Sequence, residues 1–206
     1  MDLSQSLWLC RHAESIWHEG NRYAGSSDIP LSAEGQRQAH RLADWAESAR
    51  PTAIYSSTLR RGVTTATPVA ERLGLELQLD PRLNELHFGD AEGLSADEME
   101  ERFPDAHRQF VAQPATHGLP EAESAFDGAE RVAAVLDGIA RAHPSGRVLI
   151  ITHSTAMRLA LCRILGINLD DYRRVFPHVR NVGITELTIG RPGSLLAYNR
   201  PIEPAA

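Results

Sequence analysis

The feature that most constrains the fold of this chain is an unbroken apolar run formed by Val148, Leu149, Ile150 and Ile151. A strand with one face in water alternates apolar and polar residues. A strand that is apolar at every position is typical of a parallel sheet covered on both faces. The run therefore predicts a central parallel strand with helices packed on either side of it.

Helix-like and strand-like segments alternate along the rest of the chain. Shorter strands are expected at residues 7–10 and 52–55, an alternating one at 75–79, and a terminal pair at 184–189 and 195–198. Apolar residues spaced three and four apart predict helices after Ser32, over 59–73, around 132–139 and over 155–165. This alternation predicts an α/β fold, a three-layer α/β/α sandwich with a mostly parallel central sheet.

The length favours one domain. A chain of 206 residues can bury a full hydrophobic core, so a single domain spanning residues 1–206 is expected. Between about residues 84 and 124 the periodicity weakens, because several glycines and prolines interrupt it. We interpret this segment as an insertion that forms a lid over the site, with one short helix at 96–102.

Composition narrows the classes of partner. A net charge of -6 and a pI near 5.8 argue against nucleic-acid binding, which needs a basic face. No apolar run approaches the length of a membrane span, and no secretory signal is visible. Cys10 and Cys162 are expected to be buried, reduced thiols, which favours the cytoplasm. The sequence does not fix the oligomeric state, and a homodimer stays open.

Two predicted strands end at a histidine. Arg11 and His12 follow the first strand, and His153 and Ser154 follow the central one. Ligands bind at the carboxyl ends of strands in α/β proteins. An arginine can hold an oxyanion with a planar fork of donors, and a neutral histidine can attack an electrophile or bind a metal. Taken singly, each of these residues is more often structural than functional.

Five segments occurring in order give these residues their meaning, and together they resemble the histidine phosphatase superfamily, in its phosphoglycerate mutase-like branch. The segments are Arg11-His12-Ala13, residues 28–36 (DIPLSAEGQ), residues 57–66 (STLRRGVTTA), Leu83-Asn84-Glu85 with Phe88-Gly89 and Glu92-Gly93, and residues 151–154 (ITHS). The matches extend from about residue 7 to residue 185, which is nearly the whole chain.

The resemblance implies a role for each matching residue. His12 would be the nucleophile, Glu85 the proton donor and His153 the second catalytic histidine. Arg11 and Arg61, rather than Arg60, would clamp the phosphoryl oxygens. Further substrate contacts are expected from His18, Arg22, Ser154 and Asn181. The resemblance implies no metal and no cofactor.

Some positions depart from the family pattern near the expected leaving group. His18 occupies a position where many members carry asparagine. Because an ordinary histidine titrates near neutral pH, we expect activity to depend unusually on acidity. Glu14 is left open between ligand contact and scaffold, whereas Glu92, Glu123 and Arg158 are expected to be structural. Six other histidines show no metal-ligand spacing and are expected at the surface.

The implied reaction is metal-independent hydrolysis of a small phosphate monoester through a phosphohistidine. Three alternatives stay open. The first is phosphoglycerate mutase-type phosphoryl transfer, although residues 95–124 offer only Arg102 and Arg108 as basic groups. The second is a non-catalytic phosphate-binding protein. The third is a metal-dependent hydrolase, for which no carboxylate-rich motif accompanies the histidines.

Overall fold

The fold is built on one six-stranded sheet. A computed structural model of the chain describes residues 5–190 and 193–202. Its strands are β1 (Ser6–Arg11), β2 (Ala53–Ser56), β3 (Leu77–Leu79), β4 (Arg147–Thr152), β5 (Ile184–Thr188) and β6 (Ser194–Arg200). They lie in the order β3-β2-β4-β1-β5-β6. Strands β1 to β4 run parallel to one another, β5 pairs antiparallel with β1, and β6 pairs antiparallel with β5. The predicted mostly parallel sheet is confirmed.

Helices connect these strands. They are α1 (Ala33–Ala49), α2 (Arg60–Leu73), α3 (Ala96–Arg102), α4 (Pro104–Ala112), α5 (Ala125–Ala142), α6 (Ser154–Leu165) and α7 (Tyr172–Val175). The Ser32 hydroxyl caps α1 by accepting a hydrogen bond from the backbone N–H of Gly35. Gly74 and Gly166 end α2 and α6 in the left-handed conformation, at φ 63° and 72°. Glycine adopts this conformation without steric cost.

Strand β4 is buried on both faces. Val148 and Ile150 belong to a core shared with α5 and α6, whereas Leu149 and Ile151 belong to a second core shared with α1 and α2. All four side chains are fully buried. Successive side chains of a strand point to opposite faces, so each core receives alternate residues of the run. The three-layer α/β/α sandwich is thereby confirmed.

The segment that the sequence left weakly patterned holds more helix than expected. The short helix at 96–102 is confirmed as α3, but α4 was not predicted, because Pro104 was interpreted as a break. Pro104 is instead the first residue of α4, where a missing backbone N–H leaves no helical hydrogen bond unmade. The single-domain organisation and the lid role of this segment stay predictions.

Element boundaries show two further differences. The third strand covers only Leu77–Leu79, because Leu75 lies in the turn after α2. Helix α5 begins at Ala125, well before the predicted start, with Ser124 as its cap. Within residues 5–190 and 193–202, no helix has the length and apolar character needed to cross a membrane.

The register of three parallel strands determines where the functional residues meet. Arg11 at the end of β1 is opposite Thr152 at the end of β4, and Ser56 of β2 is opposite Ile151. The residues that follow these strand ends therefore emerge side by side at the carboxyl edge of the sheet. They are His12, Ser57 and His153.

Candidate active site

The two histidines predicted to be catalytic lie close together. The backbone N–H of His12 donates to the carbonyl of Thr152 at 3.0 Å, which continues the β1–β4 ladder beyond the strands. The imidazole rings of His12 and His153 are 5.0 Å apart between centroids. His12 and His153, 141 positions apart in the chain, are thus neighbours, because their parallel strands end at the same level.

The partner of His12 determines which of its nitrogens is free. Nδ1 lies 2.7 Å from the carbonyl oxygen of Ala13, which can only accept, so Nδ1 carries the hydrogen. Nε2 is left with its lone pair. Burial lowers the pKa of His12 well below its ordinary value, and the nearby His153, Arg61 and Arg11 lower it further. His12 is therefore a neutral imidazole with a nucleophilic Nε2.

The backbone around His12 is held in place by the segment before β5. The Asn181 side chain donates to the carbonyl of His12 at 2.8 Å, and the Val182 N–H donates to the carbonyl of Arg11 at 2.9 Å. Val182 has φ 52°, an unusual conformation for a β-branched residue. Strain of this kind is maintained only where surrounding contacts fix the backbone. Asn181 thus contacts the backbone of His12, the residue predicted to be the nucleophile.

Arg61 is buried in the first turn of α2. Its two Nη atoms donate to the carbonyl oxygens of Ala24, Gly25 and Ser27, at 2.5 to 2.8 Å. No carboxylate pairs with it among the described residues. Its Nε–H is buried and has no acceptor within residues 5–190 and 193–202. The guanidinium is therefore rigidly oriented, and its charge is available to an anion.

Arg11 is arranged in a similar way at the end of β1. Its Nη1 donates to the carbonyl of Val179 at 2.8 Å, and its Nε is buried without a partner in the described part of the chain. Burial lowers the pKa of Arg11 to about 10, so the side chain stays charged at neutral pH. Together with Arg61, it supplies two cations that are held mainly by neutral groups. Such a pair suits a dianionic phosphate ester.

His18 lies between Arg11 and Ser15. Its Nε2 lies 2.7 Å from Nη2 of Arg11 and 3.3 Å from the Asn181 amide nitrogen. Its Nδ1 lies 2.9 Å from the Ser15 hydroxyl oxygen. Arg11 can only donate, so Nε2 is the accepting nitrogen, and Nδ1 carries the ring hydrogen, which the Ser15 hydroxyl oxygen can accept. A protonated ring could not accept the hydrogen bond from Arg11.

This environment overturns the expectation that His18 titrates near neutral pH. Burial lowers the pKa of His18 to about 4, and the charge of Arg11 contributes in the same direction. The expectation was wrong because it used the ordinary value for histidine. His18 is a neutral ring whose Nε2 lies against the guanidinium of Arg11.

Glu85 is anchored at the amino end of α6. Its carboxylate accepts from the backbone N–H groups of Thr155 at 3.0 Å, Ala156 at 2.8 Å and Leu86 at 3.1 Å. The partial positive charge at a helix amino terminus stabilises an anion there. Only 8% of Glu85 is exposed, which keeps bulk water away from this carboxylate.

One cavity of about 90 Å³ brings most of these groups together. Arg11, His12, Arg61 and Glu85 line it, and so do His18 and Ser154. Arg22 lies at its rim, where its guanidinium donates to the carbonyl of Gly93 and forms an ion pair with Glu98 of α3 at 2.7 Å. Arg22 therefore connects the rim to the segment predicted to form a lid. His153 is fully buried.

Three residues of the site were missed as functional by sequence reasoning. Ser57 lies 2.8 Å from His153 Nε2, and the Thr65 hydroxyl accepts the N–H of Ala13 at 3.0 Å. Arg131 of α5 donates to the carbonyl of Asn84 at 3.1 Å and so supports the turn that carries Glu85. Ser57 and Thr65 lie within the matched segment at 57–66, which is the available signal. Arg131 lies in an ordinary amphipathic helix, where nothing marks it.

The residues expected to be structural have such contacts. Glu92 accepts hydrogen bonds from Ser26 and Ser27, and Glu123 pairs with Arg131 at 2.9 Å. Arg158 lies over the Tyr172 ring. Glu14, which was left open between ligand contact and scaffold, accepts a hydrogen bond from the Ser32 hydroxyl that caps α1. Across the part of the chain that the structure describes, no cluster of three or more His, Cys, Asp or Glu side chains is arranged to hold a metal.

Comparison with known proteins agrees with this site. Residues 7–200 match the family model of the histidine phosphatase superfamily, branch 1. The chain is 33% identical to phosphoserine phosphatase 1 of Hydrogenobacter thermophilus over 166 residues, covering 81% of this chain and 79% of that protein. It is also 33% identical to a probable phosphoglycerate mutase, GpmB, of Escherichia fergusonii, covering 88% and 83% of the two chains.

A solved structure shows the same architecture. The mycobacterial glucosyl-3-phosphoglycerate phosphatase complexed with VO3 superimposes with a TM-score of 0.84 at 26% identity, covering 96% of this chain and all of that one. The chain belongs to the histidine phosphatase superfamily. Within that superfamily it is a phosphatase, a phosphoric monoester hydrolase.

Proposed function

We propose that this protein hydrolyses small phosphate monoesters through a covalent phosphohistidine on His12. One observation carries the proposal. The unprotonated Nε2 of His12 shares a cavity with Arg11 and Arg61, whose buried Nε–H groups have no acceptor among the residues that the structure describes. A phosphoryl group between them would meet a nucleophile and two permanent cations. Phosphoryl transfer depends chiefly on such positioning and charge stabilisation.

In the first step, His12 Nε2 attacks phosphorus in line with the ester oxygen. The new N–P bond forms as the bond from phosphorus to the ester oxygen breaks, and Arg11, Arg61 and His153 stabilise the negative charge on the three remaining oxygens. A proton passes from Glu85 to the departing alkoxide. The products of this step are an alcohol and phosphorylated His12.

In the second step, water replaces the alcohol. The Glu85 carboxylate takes a proton from the water as the oxygen attacks phosphorus, and the N–P bond breaks. Inorganic phosphate leaves, and both His12 and Glu85 return to their starting states. Splitting one displacement into two is the usual benefit of covalent catalysis.

The two steps use Glu85 in opposite ways. The first step needs its acid form, and the proton taken from water in the second step restores that form.

The names of the relatives support a proposal about the substrate class. The relatives are named for phosphoserine and for glucosyl-3-phosphoglycerate, and both are phosphate esters of small molecules. We propose a substrate of the same general class. The two buried, free cysteines, Cys10 and Cys162, support a reducing compartment, and we propose the cytoplasm as the place of action.

The proposal is tested by trapping the intermediate. Wild-type protein is mixed with a labelled aryl phosphate in EDTA, quenched in alkali and digested, and the labelled peptide is identified. We expect a base-stable, acid-labile phosphate on His12, and turnover that EDTA does not reduce. Full turnover by a His12→Ala variant would show that His12 is not the nucleophile.

Mutase activity in addition to hydrolysis is the second candidate, because a mutase-named relative is as similar to this chain as a phosphatase-named one is. A mutase must retain the phosphoryl group while its substrate turns, which requires exclusion of water. Incubation with 3-phosphoglycerate separates the two functions. A phosphatase releases inorganic phosphate, whereas a mutase accumulates 2-phosphoglycerate.

A further inference from the structure

Ser57 and His153 form a hydrogen bond that is entirely buried. The Ser57 hydroxyl oxygen lies 2.8 Å from His153 Nε2, and neither residue has any exposed surface. A hydroxyl can donate or accept, and each ring nitrogen can do either, depending on which one carries the hydrogen. Two arrangements are possible: Ser57 accepts from Nε2–H, or Ser57 donates to an unprotonated Nε2.

His153 is uncharged, which limits the hydrogen bond to these two arrangements. Burial lowers the pKa of His153 well below its ordinary value, and Arg61 and Arg11 lower it further. The ring is therefore neutral and carries one hydrogen. If Nε2 accepts, that hydrogen is on Nδ1.

The surrounding contacts distinguish the two arrangements. Within residues 5–190 and 193–202, the Ser57 hydroxyl has no acceptor other than His153 Nε2, and His153 Nδ1 is buried without a partner. If Ser57 accepted, its own hydrogen would be buried without an acceptor, and the lone pair of Nδ1 would face no donor. If Ser57 donates, only Nδ1–H awaits a partner. A phosphoryl oxygen is an acceptor and can meet that need, whereas it would repel a lone pair.

We infer that Ser57 is a positioning residue that keeps the hydrogen of His153 on Nδ1 by donating its hydroxyl hydrogen to Nε2. The inference rests on the proposed function, because Nδ1–H is then the group that donates to the transferring phosphoryl oxygens. Ser57 itself does not touch the substrate. It acts by excluding the ring form that would present a lone pair to an anion.

Gly62 gives the Ser57 hydroxyl the space that this hydrogen bond requires. A Cβ atom at position 62 would lie only 2.3 Å from the Ser57 hydroxyl oxygen, so the hydroxyl would have to move. Gly62 lies in the first turn of α2, directly after Arg61. The same turn thus carries a phosphoryl-binding arginine and the space for the positioning hydroxyl.

The tautomer can be measured directly in the resting protein. Nitrogen-15 NMR of histidine-labelled protein distinguishes a ring nitrogen that carries hydrogen from one that does not, and a His153→Gln variant assigns the signals. We expect hydrogen on Nδ1 and a bare Nε2 in His153. Hydrogen on Nε2 in the wild-type protein would overturn the inference.

Matched serine variants test the consequence for catalysis. Ser57→Ala removes the donor, and we expect kcat to fall by about tenfold to a hundredfold with a smaller change in KM, as the Nδ1–H form loses population. Ser56→Ala is the control, because the adjacent Ser56 hydroxyl is also buried but has no hydrogen-bond partner among the described residues. Ser56→Ala is expected to keep the wild-type kcat. Full kcat in Ser57→Ala would contradict the inference.

A second substitution displaces the hydroxyl without removing it. We expect Gly62→Ala to lower kcat as Ser57→Ala does, and the double variant to lower it no further, because both changes break one hydrogen bond. Additive losses would contradict the inference. The proposed function fails if no phosphate is found on His12. That result is separate from the tautomer of His153, because the NMR measurement needs no substrate.

Discussion

Nη2 of Arg11 lies 2.7 Å from Nε2 of His18, so the cation proposed to bind the phosphoryl group is held by a neutral imidazole rather than by a carboxylate. A carboxylate there would cancel the charge that a phosphate dianion needs. A protonated histidine would repel the guanidinium. The neutral ring orients Arg11 and leaves its charge available.

The low pKa of His18, about 4, predicts that this residue does not shape activity near neutral pH. The profile of kcat/KM between about pH 5.5 and pH 8 should have the same form in wild type and in His18→Asn, whose amide oxygen can accept from Arg11. Steady-state assays with an aryl phosphate measure this. An ionisation near pH 6.5 that is present only in wild type would show that the ring titrates.

Stability should depend on the same group at lower pH. The unfolded chain protonates His18 near its ordinary pKa of 6.5, whereas the folded protein does so only near 4. Between these values the unfolded state binds more protons, so the stabilisation present above pH 6.5 is lost as the pH falls. Urea unfolding at several pH values should show a shallower decline in His18→Asn than in wild type. Equal slopes would contradict the assigned environment.

Replacement of Glu85 tests its role as proton donor. Glu85→Gln keeps a carbonyl oxygen for the N–H groups at the start of α6 but cannot donate an acidic proton. We expect turnover of alkyl phosphates to fall by about a hundredfold to ten-thousandfold. Formation of the phosphoenzyme from an aryl phosphate, whose leaving group needs little help, should fall much less. Equal losses for both substrates in this first step would argue against a proton-donating Glu85.

Arg61 and its neighbour Arg60 provide a matched pair. Arg61→Lys removes the Nε–H group and leaves some of the three carbonyls that Arg61 contacts unpaired. Because a charge-stabilising donor is lost, we expect kcat/KM to fall by about a hundredfold or more. Arg60 is exposed at the start of α2, and Arg60→Lys should be nearly silent. Thermal melts identify any part of the Arg61 effect that reflects unfolding. Comparable losses in both variants would contradict the clamp.

Arg22 and Glu98 test whether the rim arginine binds substrate or holds α3. If Arg22 acts through its ion pair, Arg22→Ala and Glu98→Ala should raise KM by similar small factors and leave kcat nearly unchanged. Glu34→Ala on α1, which loses two exposed ion pairs away from the cavity, controls for the change of net charge in Glu98→Ala. A much larger loss in Arg22→Ala alone would show direct contact between Arg22 and the substrate.

The sequence by itself determined the sheet and indicated the residues of the proposed site. The run at 148–151 indicated a strand buried on both faces, because a strand that is apolar at every position is typical of a parallel sheet covered by helices on both sides. Ordered motifs then indicated His12, Arg61, Glu85 and His153. These features are encoded locally, in periodicity and in short segments.

Only the tertiary structure decided the state of each group. The hydrogen on Nδ1 of His12 follows from the Ala13 carbonyl, and the low pKa of His18 follows from burial beside Arg11. The contact between Ser57 and His153 joins residues 96 positions apart. Protonation and orientation depend on distances between residues that are remote in the chain, and those distances exist only after the strands have paired.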